Sequence, residues 1–208
     1  MTARISLADV EPQRGKAGQI LQAAAEAFME QGYGAASMDA IARRAGVSKA
    51  TLYAHFQGKE PLFAAIISEL CQRIAGEVAL AESDIADVRG GLIAIGQNFL
   101  ERITSPHALA LLRIVVAETV RFPELGRVFY EAGPTQLMTQ LGQFLSAAAE
   151  RGEVQIVSPE RAAEHFLGLI RGDLHLRCML GLASQPGREE IKRIVADAAA
   201  VFWRAYGP

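Results

Sequence analysis

Two very short helices that follow each other directly, within residues 37–56, are the feature that most limits how this chain can fold. Ser37 precedes the segment MDAIARRAG and Ser48 precedes KATLYAHF, and a serine directly before a helical segment is a typical N-cap. Gly46 ends the first of these helices only two residues before the second cap. Two capped helices of about two turns each, joined by a tight turn that contains glycine, predict a helix-turn-helix.

The remainder of the chain is also predicted to be helical. Apolar residues recur with helical spacing from Ile20 to Phe28, and Gly32 is placed to end that helix in a left-handed C-cap conformation. After Pro61, which falls in the first turn of a fourth helix, no segment alternates in the manner of a strand. We therefore predict an all-α fold of about nine to ten helices, the later ones spanning approximately 60–80, 87–104, 106–120, 123–132, 134–151, 159–181 and 187–205.

Positive charge is concentrated locally in the chain. The 208 residues carry a formal net charge of only -2, and half of them are hydrophobic, which is sufficient for a substantial core. Residues 37–59, in contrast, contain four lysines and arginines and a single acidic residue. Local positive charge on the predicted helix-turn-helix favours a nucleic-acid partner for this part of the chain.

The second short helix is predicted to divide into two faces. Leu52 and Phe56 face a core that Ile41 and Val47 share. The opposite side has short, hydroxyl, phenol and cationic groups, which suit close approach to DNA and contact with phosphates and base edges. This outward side consists of Lys49, Ala50, Thr51, Tyr53 and Ala54.

The residues that carry a family resemblance are Ala42, Val47, Leu52 and the run TLYAHFQGKEPLF. With them, this part of the chain resembles the DNA-binding domain of the TetR family of bacterial transcriptional regulators, which read operators as dimers. The resemblance extends over residues 16–67. It implies that Ser37 caps the supporting helix and that Lys49, Ala50 and Thr51 lie near bases. The residues it places near phosphates are Thr51, Tyr53, His55 and Lys59. With the Ser48 cap and the cation Arg44, the predicted DNA-binding residues are Ser37, Arg44, Ser48, Lys49, Ala50, Thr51, Tyr53, His55 and Lys59. His55 can instead interact with the C-terminus of its own helix.

The predicted domain organisation has three parts: a mobile arm at 1–15, a DNA-binding domain at 16–67 and a ligand-binding and dimerisation domain at 68–208. The segments LLRIVVAETVRFPELGRVFYEAGP and AEHFLGLIRGDLHLRCMLG resemble the C-terminal domain of the AefR-like branch of the TetR family. This resemblance implies the architecture of the larger domain without specifying a ligand.

The family resemblance implies a small-molecule cavity in the larger domain, with an apolar lining. The alternative is that the same side chains only form a core, as apolar stripes usually do. The proposed lining residues are Phe63, Ile67, Cys71, Phe99, His107, Leu111, Phe144 and Arg171.

The last two helices carry broad apolar stripes, which can be buried within one protomer or against a second copy. The family resemblance favours a four-helix bundle made of two helices from each subunit. The predicted interface residues are Phe166, Ile170, Leu174, Ile191, Ile194, Val195, Ala198, Val201 and Phe202.

Charged residues between 171 and 177 allow two pairings one helical turn apart, Arg171 with His175 and Asp173 with Arg177. They are interpreted either as exposed pairs or as a polar cluster at a cavity or dimer interface. His175 and Cys178 lie three residues apart, but two ligands do not define a metal site, so neither a metal nor a cofactor is predicted. The two cysteines are predicted to be reduced and buried.

The sequence therefore predicts a cytoplasmic DNA-binding regulator with no membrane segment. The specific prediction is a homodimeric repressor of a palindromic operator, released by a small hydrophobic or aromatic ligand. The alternatives are a TetR-like activator and a helical adaptor whose main role is to bind protein. An enzyme is disfavoured because the chain lacks GxSxG, GxGxxG, P-loop and HExxH motifs.

Overall fold

The computed structural model of the chain describes residues 15–69 and 87–208. These two ranges are mostly helical and contain no strand, which confirms the all-α prediction. No helix within them is long and apolar enough to cross a membrane. The arm predicted at 1–15, apart from its last residue, and the predicted helical residues 70–80 lie outside the described residues.

The helices begin and end close to the predicted positions. Pro61 falls in the first turn of α4, as predicted. The helices are α1 (Lys16–Ala35), α2 (Met38–Arg44), α3 (Lys49–His55), α4 (59–69 in the described part), α5 (Val88–Ile103), α6 (Pro106–Glu118), α7 (Pro123–Ala132), α8 (Pro134–Glu150), α9 (Pro159–Met179) and α10 (Arg188–Tyr206).

The two predicted serine caps are present. The Ser37 hydroxyl oxygen accepts a hydrogen bond from the Ala40 backbone N–H at 3.2 Å, and the Ser48 oxygen accepts one from the Thr51 N–H at 3.0 Å. Each bond satisfies a backbone donor in the first helical turn that has no partner within the helix. The caps therefore explain why two helices of seven residues begin where they do.

Gly32 bends α1 without ending it. Its φ of 78° is positive, as predicted, but its ψ of 160° lies outside the left-handed helical region expected for a C-cap. The chain therefore turns at Gly32 and makes one further turn to Ala35, with the Ala36 N–H donating to the Gly32 carbonyl at 3.3 Å. A Cβ at this position would also lie 2.8 Å from Glu118 Oε1, so a side chain there would strain the backbone and displace the Glu118 carboxylate.

The described residues form two compact units. The first contains residues 15–69 together with Ala110–Gly133, and the second contains residues 87–109 together with Pro134–Pro208. The segment 110–133, which the sequence prediction assigned to the larger domain, thus groups with the helix-turn-helix.

The first unit has an aromatic cluster at its centre, made of rings from α1, α4 and the segment after α6. Phe63 lies 5.8 Å from Phe28 and 5.5 Å from Tyr33, and Phe122 lies 5.1 Å from Tyr33, measured between ring centroids. Edge-on pairs of this kind stabilise a fold by about 0.5–1.5 kcal/mol each beyond the area they bury. The cluster thus packs the part of α1 around its bend against the first turns of α4.

The second unit is built from α5, α8, α9 and α10 around one core. Phe166 of α9 packs edge-on against Phe202 of α10, with ring centroids 5.3 Å apart. Gly96 of α5 permits a close approach, because a Cβ there would lie only 2.8 Å from side-chain atoms of Ile170 and Val195. The apolar stripes of the last two helices therefore pack mainly within the protomer.

This packing corrects most of the predicted dimer interface. Leu174 and Ile194 are partly buried against the same core, and only Val201 is exposed. Six predicted interface residues are at most 5% exposed and are not accessible to a partner, because they form the core of the second unit: Phe166, Ile170, Ile191, Val195, Ala198 and Phe202.

The polar residues of α9 form an exposed pair. Arg177 Nε lies 3.9 Å from Asp173 Oδ2, which confirms that predicted pairing, and both side chains are exposed. Burial lowers the pKa of His175, and the positive charge of Arg171 lowers that pKa further. The His175 imidazole is therefore protonated less readily than an exposed histidine. Cys178 is buried as predicted, whereas Cys71 lies outside the described residues.

Candidate nucleic-acid interface

Helix α3 presents almost all of its side chains to solvent. Leu52 is its one buried residue and is fully inaccessible, whereas Tyr53 beside it is 48% exposed. Lys49, Ala50, Ala54 and His55 are exposed as well, and Thr51 is half-buried. The helix is thus held through one apolar side chain and leaves a polar surface of about two turns open to a partner.

The hydroxyl of Thr51 is engaged within the protein. Ser48 Oγ and Thr51 Oγ1 lie 2.8 Å apart and share a hydrogen bond, in addition to the cap bond from the Thr51 N–H. A hydroxyl can donate one hydrogen bond and accept two, so Thr51 retains capacity for a further contact. The cap therefore orients a residue that the sequence placed near DNA.

Lys49, the first residue of α3, forms an ion pair with the preceding helix. Its Nζ lies 2.5 Å from Oδ2 of Asp39, which is in the first turn of α2. The family resemblance implies that Lys49 lies near bases, and the sequence alone does not pair it with Asp39. The structure brings the two together because the tight turn folds the start of α3 back against the start of α2.

Arg44 is held by helix α1. One guanidinium nitrogen lies 2.5 Å from Glu30 Oε2, and the other lies 3.8 Å from Glu26 Oε2. The hydrogen bond between Arg44 and Glu30 lowers the pKa of the carboxyl and raises the pKa of the guanidinium. Of the predicted DNA contacts, Arg44 is therefore the cation whose charge is balanced by two carboxylates within the same unit.

Lys59 binds the end of α1. Its Nζ donates hydrogen bonds to the carbonyl oxygens of Tyr33 and Gly34, at 2.8 and 3.0 Å, and lies 4.8 Å from the centre of the Tyr33 ring. Two of the three ammonium protons are thus used inside the unit, which leaves one for a phosphate. Burial raises the pKa of Tyr33 to about 12, with Glu124 and Glu60 adding to the shift, so this ring stays neutral beside the lysine.

We expect Lys59→Met to destabilise the first unit. The substitution keeps the length of the side chain but removes two charge-assisted hydrogen bonds from carbonyls at the bend of α1, a loss of about 1–3 kcal/mol in the free energy of unfolding. Urea unfolding followed by circular dichroism measures this loss. Lys49→Met is the matched control, because its ammonium is more exposed and binds one exposed carboxylate. Equal losses for the two variants would contradict the structural role of Lys59.

His55 is the last residue of α3 and is exposed. The centroid of its ring lies 6.3 Å from the centroid of the Phe56 ring. This position is compatible with both predicted roles, contact with the helix C-terminus and contact with phosphate. Its role in DNA binding stays a prediction.

The carboxylates that hold Lys49 and Arg44 were missed as partners by sequence reasoning. Glu26, Glu30 and Asp39 are ordinary acidic residues on helices, and Glu30 precedes Arg44 by fourteen positions. Only the packing of α1 against α2 brings them together. The local excess of positive charge in residues 37–59 is therefore smaller in three dimensions than along the sequence.

Comparison with known proteins agrees with this geometry. A family described as bacterial regulatory proteins, tetR family, matches residues 20–66, and the AefR-like transcriptional repressor C-terminal domain matches residues 90–208, more than half of the chain. The chain belongs to the TetR family of transcriptional regulators. Members of this family bind DNA and are typically dimeric.

Similar TetR-family proteins match along most of the chain. A TetR-family transcriptional regulator from Mesorhizobium loti superposes with a TM-score of 0.81 at 29% identity, covering 93% of this chain and 97% of that one. The flavonoid-responsive regulator FrrA superposes with a TM-score of 0.79 at 36% identity, with the same coverage of the two chains. The HTH-type transcriptional activator FasR of Mycolicibacterium smegmatis is 40% identical over 92 residues, which are 44% of this chain and 42% of FasR.

The residues nominated for a ligand cavity do not lie together within one unit of this TetR-family protein. Phe63, Ile67 and Leu111 are buried in the first unit, where Phe63 belongs to the aromatic cluster. Phe99 and Phe144 pack on the core of the second unit, and His107 is half-buried there. Arg171 is exposed, and Cys71 lies outside the described residues.

Proposed function

We propose that the protein is a homodimeric repressor that binds a palindromic operator and is released from it by a small hydrophobic or aromatic ligand. The division of α3 into a single buried leucine and an open polar face carries this proposal. A reading helix of seven residues contacts few base pairs, so two copies related by a two-fold axis are needed for a specific site. The protein would act in the cytoplasm, where bacterial DNA is located.

The exposed sides of α9 and α10 supply an apolar surface for this dimer. Several large hydrophobic side chains that do not enter the core lie on these helices or on the segment between them. We call them the outer apolar surface, which consists of Leu169, Leu176, Leu180, Leu182 and Val201. Large exposed apolar groups on neighbouring elements are typical of protein interaction sites, so they favour association through these exposed side chains, of which Val201 is also a predicted interface residue.

We expect Leu176→Glu to dissociate the dimer. Leu176 is 56% exposed, so the substitution leaves the core intact but places a charge where apolar groups would otherwise be buried against the partner. Sedimentation velocity at micromolar concentration should show a shift to monomer, and DNA affinity should fall with it.

Val157→Glu is the matched control, because Val157 is fully exposed, precedes the start of α9 and is not part of the outer apolar surface. It should remain dimeric. A wild-type protein that sediments as a monomer, or a Leu176→Glu variant that stays dimeric, would contradict association through the outer apolar surface.

The similarity to FrrA, which is named as flavonoid-responsive, supports a planar aromatic compound as the class of ligand. To release DNA, such a ligand must bind the conformation that does not fit the operator more tightly than the one that does. The ligand that satisfies this condition would raise the melting temperature of the protein and raise the Kd for its operator together.

Footprinting of purified protein on genomic DNA tests the regulator and supplies the operator. Flavonoids are then added in parallel to a melting assay and to operator binding. A compound that shifts both supports ligand release, and compounds that shift neither contradict it. Failure to protect any genomic site would instead support the adaptor alternative.

Activation is the second candidate function, because the partly matching relative FasR is named as an activator. Transcripts of the genes beside the protected sites separate the two modes. In a strain that lacks the protein, a repressor predicts higher transcript levels and an activator predicts lower levels.

A further inference from the structure

The ion pair between Lys49 and Asp39 lies on the surface that α3 presents to DNA. The side chains are 66% and 49% exposed, respectively, and their closest charged atoms are 2.5 Å apart. Lys49 is flanked by the Ser48 cap and by exposed Ala50, so its ammonium is at the N-terminal edge of the reading helix. In the free protein this cation is therefore already occupied by a carboxylate.

The other two cations that hold contacts inside this unit are restrained more firmly. Arg44 is shared by two carboxylates of α1 and is about one-third exposed. Lys59 donates to two backbone carbonyls at the bend of α1, which stay in place as long as α1 is folded. Exposed pairs contribute little free energy, about 0–1 kcal/mol. Among these three cations, Lys49 is the one whose partner a phosphate can replace with the least disruption.

We propose that Asp39 is a specificity-determining residue: its carboxylate holds the Lys49 ammonium, and DNA gains this cation only where a phosphate is placed well enough to displace the carboxylate. The proposal rests on the proposed function and on the DNA contact predicted for Lys49, which is assigned here to a phosphate. On DNA that fits the reading helix, the phosphate lies in register and the exchange takes place. On other sequences the pair stays closed, and Asp39 adds repulsion between the protein and the phosphate backbone.

The exchange has a distinct salt dependence. A lysine that simply neutralises a phosphate releases condensed counterions, which steepens the slope of log K against log salt by about 0.9 per contact. On a random duplex Lys49 stays paired with Asp39 and releases no condensed counterion, whereas on a fitting site it reaches a phosphate and releases one. The contact of Lys49 is therefore absent from the salt slope of the wild-type protein on random DNA and appears there when Asp39 is neutralised.

The test compares wild type, Asp39→Asn, Lys49→Ala and the double variant on a random-sequence duplex of about 30 base pairs, between about 50 and 300 mM NaCl. Asp39→Asn should steepen the slope of log K against log salt by ~0.9 per bound subunit. The Kd of the variant should then be close to that of the wild type at about 300 mM NaCl and ~5-fold lower per subunit at about 50 mM. Lys49→Ala should weaken binding more in the Asp39→Asn background than in the wild type.

Glu26→Gln is the matched control, because it removes the same charge from the first unit while Arg44 keeps its close contact with Glu30. If Glu26→Gln steepens the slope as much as Asp39→Asn, the effect is general charge repulsion and the proposal fails. Additive effects of Asp39→Asn and Lys49→Ala also overturn it. If Lys49→Ala leaves binding unchanged in both backgrounds, the proposed DNA contact of Lys49 fails as well.

The operator recovered by footprinting provides the specificity measurement. Asp39→Asn should tighten binding to random DNA more than binding to the operator, so the ratio of the two affinities falls by several-fold. An unchanged ratio would show that Asp39 sets overall affinity and does not discriminate between sequences. Circular dichroism melting establishes that Asp39→Asn folds like the wild type before either comparison.

Discussion

Phe202→Ala is expected to lower the free energy of unfolding of the second unit by about 3–5 kcal/mol, because it removes a fully buried ring from a packed core. The ring lies edge-on to Phe166 and 4.7 Å from the Tyr206 ring, so its loss leaves several neighbours without contacts. Urea unfolding at one high protein concentration measures the change while the association state is held constant.

Val201→Ala is the matched control on the adjacent position of α10. Val201 is 48% exposed, so truncation should change the free energy of unfolding by no more than ~0.5 kcal/mol. Together, the two variants distinguish burial of the α10 stripe in the core of the protomer from burial in a dimer interface. If Phe202→Ala unfolds normally but dissociates a dimer, Phe202 is an interface residue and the core described for the second unit is incorrect.

The order and type of the helices could be predicted from the sequence because their signals are local. Ser37, Ser48 and Ser158 cap helices with side chains that bond three residues ahead, and Pro123 and Pro159 start helices where a missing N–H has no cost. The family resemblance added the identity of the helix-turn-helix. Each of these features depends on a few neighbouring residues and is independent of the rest of the fold.

Which part of the protein covers each apolar helix face could not be predicted in the same way. A stripe such as Ile191, Val195 and Phe202 shows that one side of α10 is buried, but periodicity contains no information about what buries it. The answer depends on Gly96 of α5, which is distant in sequence and permits α9 and α10 to approach. For the same reason, the sequence does not show that Phe63, a predicted lining residue, packs against the rings of Phe28 and Tyr33.

On the candidate DNA-binding surface too, features set by neighbouring residues could be predicted, and contacts with residues distant in sequence could not. Leu52 inward and Tyr53 outward follow from helical geometry and are confirmed. The partners of Lys49, Arg44 and Lys59 are a carboxylate, a carboxylate pair and two carbonyls, and all of them lie on other helices. Sequence reasoning identified the cations but could not show that each already has a partner before DNA arrives.

Leu52→Ala is expected to release α3 from the first unit. Helices of seven residues are not stable alone in water, and Leu52 is the one side chain of α3 that is fully buried. Its truncation should remove about 2–5 kcal/mol from the packing of this helix. DNA binding must then supply the free energy of ordering α3, so the Kd should rise ~10-fold or more, at ~1.4 kcal/mol for each factor of ten.

Tyr53→Ala separates the folding of α3 from its contact with DNA. The Tyr53 side chain is 48% exposed and is not part of the core, so the variant should melt like the wild type and still bind DNA more weakly. Amide hydrogen exchange of residues 49–55 provides the second measurement, because Leu52→Ala should accelerate exchange there and Tyr53→Ala should not. Fast exchange in both variants would mean that Tyr53 also anchors the helix, and normal exchange in Leu52→Ala would show that other contacts hold α3 in place.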